Sequence, residues 1–261
     1  MAEEKRIYQN RVRILRMEEY NKFQKRLQEF KVYKDVFDSS TINSVWRLIT
    51  QGKIEGLESP IKIGKESNVF SALNKQNERL AVKIYRINAA DFNKMYNYLA
   101  PDRRFRIVKN KRQIIMTWAR REFINMEKAW QSGVSVPKPI AVNENVLIME
   151  FIGEKENPVS YPLLKNYREN LDKIFESLLD SLKKLYQTAK LVHGDLSEYN
   201  ILIRDSEPVI IDLSHAVPLN SPIAEELLIR DVKNTCNFFI KHGLKIDKED
   251  ILNKIKGKNK N

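Results

Sequence analysis

The segment His193-Gly194-Asp195-Leu196-Ser197-Glu198-Tyr199-Asn200 sets a carboxylate and a carboxamide five residues apart. Shortly after it, Val209-Ile210-Ile211-Asp212 ends an apolar run on a second carboxylate. Phosphoryl transfer from ATP uses such a set. One Asp takes or orients the acceptor proton, while an Asn and another Asp hold the metal ions that bridge the phosphates. Asp195 is therefore the candidate base, and Asn200 and Asp212 are the candidate metal ligands. The placement of Asp212 separates this reading from that of a solvated surface turn.

A cation must face the phosphates. Lys83 stands in Leu80-Ala81-Val82-Lys83-Ile84, an otherwise apolar strand, where an unpaired charge would be expensive to bury. Glu122 is its candidate partner because it borders the stripe of Ala119 and Met126 at helical spacing, with Glu127 as the competitor and Arg120 and Arg121 pointing elsewhere. Gly64-Lys65-Glu66-Ser67-Asn68 offers Gly64 for close backbone approach and Ser67 as a hydroxyl donor to phosphate. It lacks the three glycines of a G-x-G-x-x-G loop. Glu150 and Ile152, in Met149-Glu150-Phe151-Ile152, are candidates to hold adenine through main-chain atoms. His193 is expected to order the loop backbone, while His215 and His242 lack metal-ligand spacing.

These groups need elements to position them. Residues 1–37 alternate charge with spaced apolar residues such as Ile14, Leu15, Phe23, Leu27 and Phe30, which reads as helix. Asp38-Ser39-Ser40-Thr41 caps a second helix carrying Ile42, Val45, Trp46 and Ile49 until Gly52. Strands follow at 61–63, 69–73 and 80–85, and two more within 139–152 around Asn143-Glu144-Asn145. Residues 88–112 show no clear period and carry Arg103, Arg104, Arg106, Lys109, Lys111 and Arg112. Beyond Gly153 the spacing turns helical, with a final helix over roughly 222–240 and a lysine-rich tail.

Composition sets the bounds. The 261 residues carry 46 Lys+Arg against 34 Asp+Glu, a net charge of +12, so the surface should attract polyanions. The single cysteine, Cys236, excludes an intramolecular disulfide and fits a reducing cytoplasm. No apolar run reaches the length of a membrane span, and the charged start is not a signal peptide. The aromatic residues fall at core positions and form no stacking platform for nucleic-acid bases.

The Asp-to-Asn spacing equals that of the H-R-D-x-x-x-x-N loop of protein kinases, with Gly194 in place of Arg. Taken together, GKESNVF, LAVKIY, WARREF, MEFIG, LVHGDLSEYNIL and IIDLS resemble the RIO family of atypical serine/threonine kinases from about residue 36 to 240. VFDSSTINSVWRLITQGKI and the Leu-Ser after Gly-Asp resemble its Rio1-like subfamily, at the length of archaeal members. The resemblance implies an α+β, bilobal protein-kinase-like fold. It places an N-terminal helical extension at 1–59, a strand-rich N-lobe at 60–152 with a flexible loop near 88–112, a reduced helical C-lobe at 153–241 and a basic tail at 242–261. Asp195 would be the base, Asn200 and Asp212 would hold Mg2+ (Mn2+ as an alternative), Lys83 and Ser67 would bind phosphate, and Glu150 and Ile152 would contact adenine. It further implies ATP hydrolysis through a phosphoaspartate at Asp212 and a role in maturing the small ribosomal subunit, with the precursor particle or its RNA as partner and no membrane.

The chain departs from ordinary kinases in two places. Asp212-Leu213-Ser214 replaces Asp-Phe-Gly, and no Ala-Pro-Glu follows. Two other readings share the HGD motif or the ATP site. One is a small-molecule kinase of the aminoglycoside-phosphotransferase type, for which the basic chain lacks an acidic pocket. The other is an ATP-switched ribosome-assembly scaffold with little turnover.

Overall fold

The computed structural model describes residues 17–29, 36–87 and 92–258. The expected helical positions Ile14, Leu15 and Phe30 lie outside them. Helix α1 (17–28) buries Phe23 and Leu27, which sit four residues apart on one face. Helix α2 (Ser39–Thr50) starts where the Asp38 side chain accepts the Thr41 N–H at 2.7 Å. Its buried stripe is Ile42, Val45 and Leu48.

Five antiparallel strands follow as one sheet: β1 (Gly56–Ile63), β2 (Ser67–Leu73), β3 (Arg79–Tyr85), β4 (Pro139–Asn143) and β5 (Val146–Glu150), in the order β1-β2-β3-β5-β4. Side chains alternate between the two faces of a strand, so the register decides what meets what. Val69 pairs with Lys83, and Lys83 with Leu147. Phe70, Val82, Ile84 and Ile148 therefore take the other face, where they share a core with α1 and α2. The N-terminal helices thus complete the smaller lobe's core.

The segment 88–112, expected to be a non-periodic loop, contains helix α3 (Phe92–Leu99). Met95 and Leu99, four residues apart, are buried beside Trp118, a contact only the folded chain brings together. Helix α4 (Lys111–Gln131), capped by Asn110, crosses the Lys83 face of the sheet.

Past β5 the chain enters the larger lobe. Helix α5 (Leu171–Lys183) runs into a π turn at Lys184–Thr188. Short β6 (Leu191–Val192) pairs with β9 (Val217–Pro218), and β7 (Ile201–Arg204) with β8 (Glu207–Ile210). Helix α6 (Ala224–Lys241) falls where a final helix is expected, with Phe239 in the core. One more helix follows. The expected basic tail folds as α7 (Lys248–Lys256), capped by Asp247 and burying Ile251 and Ile255. Two buried isoleucines in a lysine-rich run suffice because α5 and α6 supply the surface they need. Among the described residues, no helix is long and apolar enough to cross a membrane.

Candidate active site

Lys83 on β3 is 6% exposed, and its ammonium has two carboxylates in reach. Glu122 Oε1 lies at 2.8 Å and Asp212 Oδ1 at 2.9 Å. Tyr85, two residues along the same face, donates its hydroxyl to the other Glu122 oxygen. Burial alone would lower the Lys83 pKa, but Asp212 and Glu122 outweigh it and hold the amine well above its ordinary value. Burial pushes Glu122 up, with Lys83 offsetting part of the rise. Between the two candidate partners the geometry chooses Glu122, since Glu127 is exposed. A buried cation with two anions is rigid, and removing either anion leaves an uncompensated charge.

Asp212 adopts a left-handed conformation, φ 64°, directly before the turn Leu213–His215. Its Oδ1 also accepts the Ser214 hydroxyl at 2.8 Å. Burial pushes the carboxyl up, yet Lys83 and the Ser214 bond hold it well below the usual carboxylate range. Helix α4 secures the turn. Asn125 Nδ2 donates to Leu213 O at 3.2 Å and Ala216 O at 2.8 Å, and Arg121 Nη2 donates to Ala216 O at 2.9 Å. Arg121, expected to point away from the core, is fully buried instead. Its guanidinium lies over Trp118 and 3.4 Å from Asp102, and desolvation lowers its pKa to about 10. Asp102 in turn pairs with Arg104 at 2.7 Å, so that part of the basic segment is already neutralised.

The loop bearing Asp195 is held by its backbone. Asp231 on α6 accepts the N–H of Gly194 at 2.7 Å and of Leu196 at 2.9 Å, while Arg230 donates to Gly194 O. His193 Nε2 is 3.1 Å from Ile211 O, and the Asp195 N–H is 3.3 Å from His193 Nδ1. A carbonyl can only accept, so Nε2 donates to Ile211 O and ties the loop to the strand end before Asp212. Gly194 has φ +80°, and a Cβ there would lie 2.7 Å from His215 O. Glycine therefore replaces the arginine of ordinary kinases for steric reasons. Asp195 itself is exposed. Asn200 donates to Asp195 O at 2.8 Å and accepts the Ile211 N–H at 2.9 Å, so the β7–β8 hairpin sets it beside the strand end leading to Asp212.

At the other rim, the Gly64 N–H donates to Ser67 O at 3.1 Å and Asn68 Oδ1 at 3.0 Å, closing the β1–β2 turn. A Cβ at Gly64 would lie 2.7 Å from Ser67 O. Ser67 pairs with Tyr85 and so shares the Lys83 face. The Glu150 side chain pairs with Arg204 at 2.7 Å, and its N–H donates to Lys138 O. Ile152 is buried, and its carbonyl accepts the Tyr161 N–H at 3.1 Å.

Sequence reasoning missed Tyr85, Asn125, Arg121, Ser214, Asp231 and Arg230. Only Asp231 carried a local signal, an acid on the apolar face of α6 between Leu228 and Val232. Among the described residues, no three His, Cys, Asp or Glu side chains cluster to hold a metal. A site with Asn200 and Asp212 as protein ligands suits magnesium, which retains water and takes phosphate oxygens.

A five-stranded lobe with a lysine–glutamate pair, joined to a helical lobe with Asp195, Asn200 and Asp212, defines a protein-kinase-like class. A family model described as the RIO domain matches residues 68–251, and the chain belongs to that family. It is 43% identical to the RIO-type serine/threonine-protein kinase Rio1 of Haloferax volcanii, over 92% of this chain and 83% of that one. It is 33% identical to human serine/threonine-protein kinase RIO1, over 82% of this chain but only 38% of the human one. The fold is similar to a crystal structure of the Rio2 kinase-ADP/Mg2+-phosphoaspartate complex from Chaetomium thermophilum. The TM-score is 0.60 at 22% identity, with 82% of this chain and 65% of that chain covered.

Proposed function

We propose that this chain transfers the γ-phosphoryl group of ATP, to serine or threonine of a protein or to water, during maturation of the small ribosomal subunit in the cytoplasm. The observation that carries the proposal is Lys83, locked between Glu122 and Asp212, with Asn200 bonded both to Asp195 and to the strand end that leads to Asp212. Lys83 holds positive charge against phosphate oxygens, and its depressed partner Asp212 stays ionised. Ser67 offers a hydroxyl on the same face, and the backbones of Glu150 and Ile152 take the adenine edge. Asp195, exposed and carried on a clamped loop, accepts the proton of the incoming hydroxyl.

Asn200 and Asp212 would hold magnesium, which when bound supplies further positive charge at the phosphates. Where Asp212 takes the phosphoryl group itself, its carboxylate oxygen forms a bond to phosphorus as the bond to ADP breaks, and water later cleaves the acyl phosphate. Incubation with γ-labelled ATP and magnesium tests both routes. Label is expected in added protein or in the chain, or as free phosphate. Hydroxylamine-labile label lost in Asp212→Asn supports the covalent route. Turnover unchanged in Asp195→Ala would refute the whole reading.

The partner is the small-subunit precursor or its RNA, a reading supported by the net charge of +12. Arg104 is tied to Asp102 and Asn125, and Arg112 to Glu144, while Arg103, Arg106, Lys109 and Lys111 of the basic segment are exposed.

A further inference from the structure

We infer that a depression beside the catalytic loop binds single-stranded RNA, with a base against Tyr199 and phosphates on Lys165, Arg168 and Lys241. The inference deepens the RNA side of the proposed function and rests on it. The depression measures about 520 Å3 and is walled by the Ser197–Tyr199 stretch, the turn around Lys165 and the last turns of α6. Tyr199, one residue before Asn200, is 48% exposed, contrary to the expectation that aromatic residues fill core positions. The Lys165 ammonium lies 4.6 Å from its ring centroid and orients it.

The charges here are built in. The Lys165 N–H donates to Glu198 O at 3.1 Å, joining the two walls. Arg168 Nη1 donates to the carbonyls of Lys165 and Tyr167 at 2.8 and 2.7 Å, fixing its guanidinium at the rim. With Lys241, three cations face one carboxylate, Glu198. In the 103–112 segment, by contrast, Arg104 and Arg112 are spent on internal ion pairs.

An acidic peptide would need only the cations. An exposed ring together with Asn234, whose carboxamide both donates and accepts, suits a nucleobase. Unpaired strands present bases to aromatic side chains in this way, and duplexes do not.

The test is fluorescence anisotropy of the full chain with a labelled single-stranded RNA hexamer. Tyr199→Ala is expected to weaken binding by ~5- to 100-fold, and Tyr199→Phe, which keeps the ring, by less than about twofold. Lys241→Gln is expected to lower the log–log salt slope by ~0.7, a readout available even if Tyr199→Ala does not fold. If the hexamer binds wild type but neither Tyr199→Ala nor Lys241→Gln changes its binding, the site is wrong while the RNA partnership stands. If wild type binds no RNA, both fall. Equal affinity for a duplex, or displacement by poly-glutamate at matched charge, would overturn the assignment to single-stranded RNA.

Discussion

The two sides of the candidate site, its sheet wall and its loop wall, are built on opposite principles. On the sheet side, Lys83, Glu122, Tyr85 and Arg121 are buried, with Lys83 paired to Glu122 at 2.8 Å and Arg121 to Asp102 at 3.4 Å. On the loop side, Asp195 and Tyr199 stand in solvent, and what is buried is the support: Asp231, His193 and the Gly194 backbone. In the proposed reaction, the buried Lys83–Glu122 pair would fix charge beside the phosphates without reorganisation. An exposed Asp195 on a clamped loop would, in that reaction, keep access for an acceptor. Function and stability should therefore separate on the loop side and coincide on the sheet side.

The largest effect should come from Asp195→Ala. Its side chain is exposed, so melting should barely move while phosphoryl transfer drops by ~10²–10⁴-fold. Nucleotide affinity, measured by calorimetry, should stay close to wild type. A matching loss of stability would erase the distinction between the walls.

Glu122→Ala should fail on both counts. Breaking a buried pair costs about 3–5 kcal/mol, and Lys83 keeps only Asp212. Denaturant unfolding and turnover should both fall, and adding Lys83→Met should lose less than the sum, because coupled groups are not additive. Strict additivity would mean that the pair does not act as a unit.

Asp231→Asn probes the support. It removes one of the acceptors serving the Gly194 and Leu196 N–H groups and should destabilise by about 1–3 kcal/mol. Because Asp231 acts through the loop, kcat should fall while the KM for ATP holds. A KM change alone would place its influence elsewhere.

How much of this was readable beforehand follows from the range of each interaction. Asp195, Asn200 and Asp212 stand out in sequence because the proposed chemistry would need such groups at this spacing, on one loop and one strand end. Lys83 shows because a lysine inside Leu-Ala-Val is anomalous. Glu122 and Glu127 stay ambiguous in sequence because both lie near the apolar stripe, and only the docking of α4 on β3 chooses. Arg121 and Asn125 read as ordinary helix residues; their carbonyl partners lie about ninety positions on, at Leu213 and Ala216. Helices α3 and α7 escaped because each is short, eight and nine residues, and their partner surfaces are remote in sequence. Tyr199 is the converse case, an aromatic residue that hydrophobicity assigns to the core and the loop's path leaves outside.

The smallest predicted effect is also the most direct comparison of the walls, because two aspartates titrate in opposite senses. Asp212 is held below the carboxylate range: burial raises it, but Lys83 and Ser214 more than reverse that. A carboxyl with a depressed folded pKa adds stability above its unfolded value, which is lost as pH falls toward the folded one. Asp231 goes the other way, since burial pushes it up and His193 and the two N–H bonds only partly compensate. Its folded form holds the proton more tightly, so its contribution is present at low pH and lost as pH rises through the folded pKa. Stability measured from about pH 3.5 to 7 should then gain on Asp212→Asn as pH rises, and lose ground against Asp231→Asn. Parallel curves would show that the aspartates share one environment, and the contrast between a charge-paired wall and a backbone-clamped one would not hold.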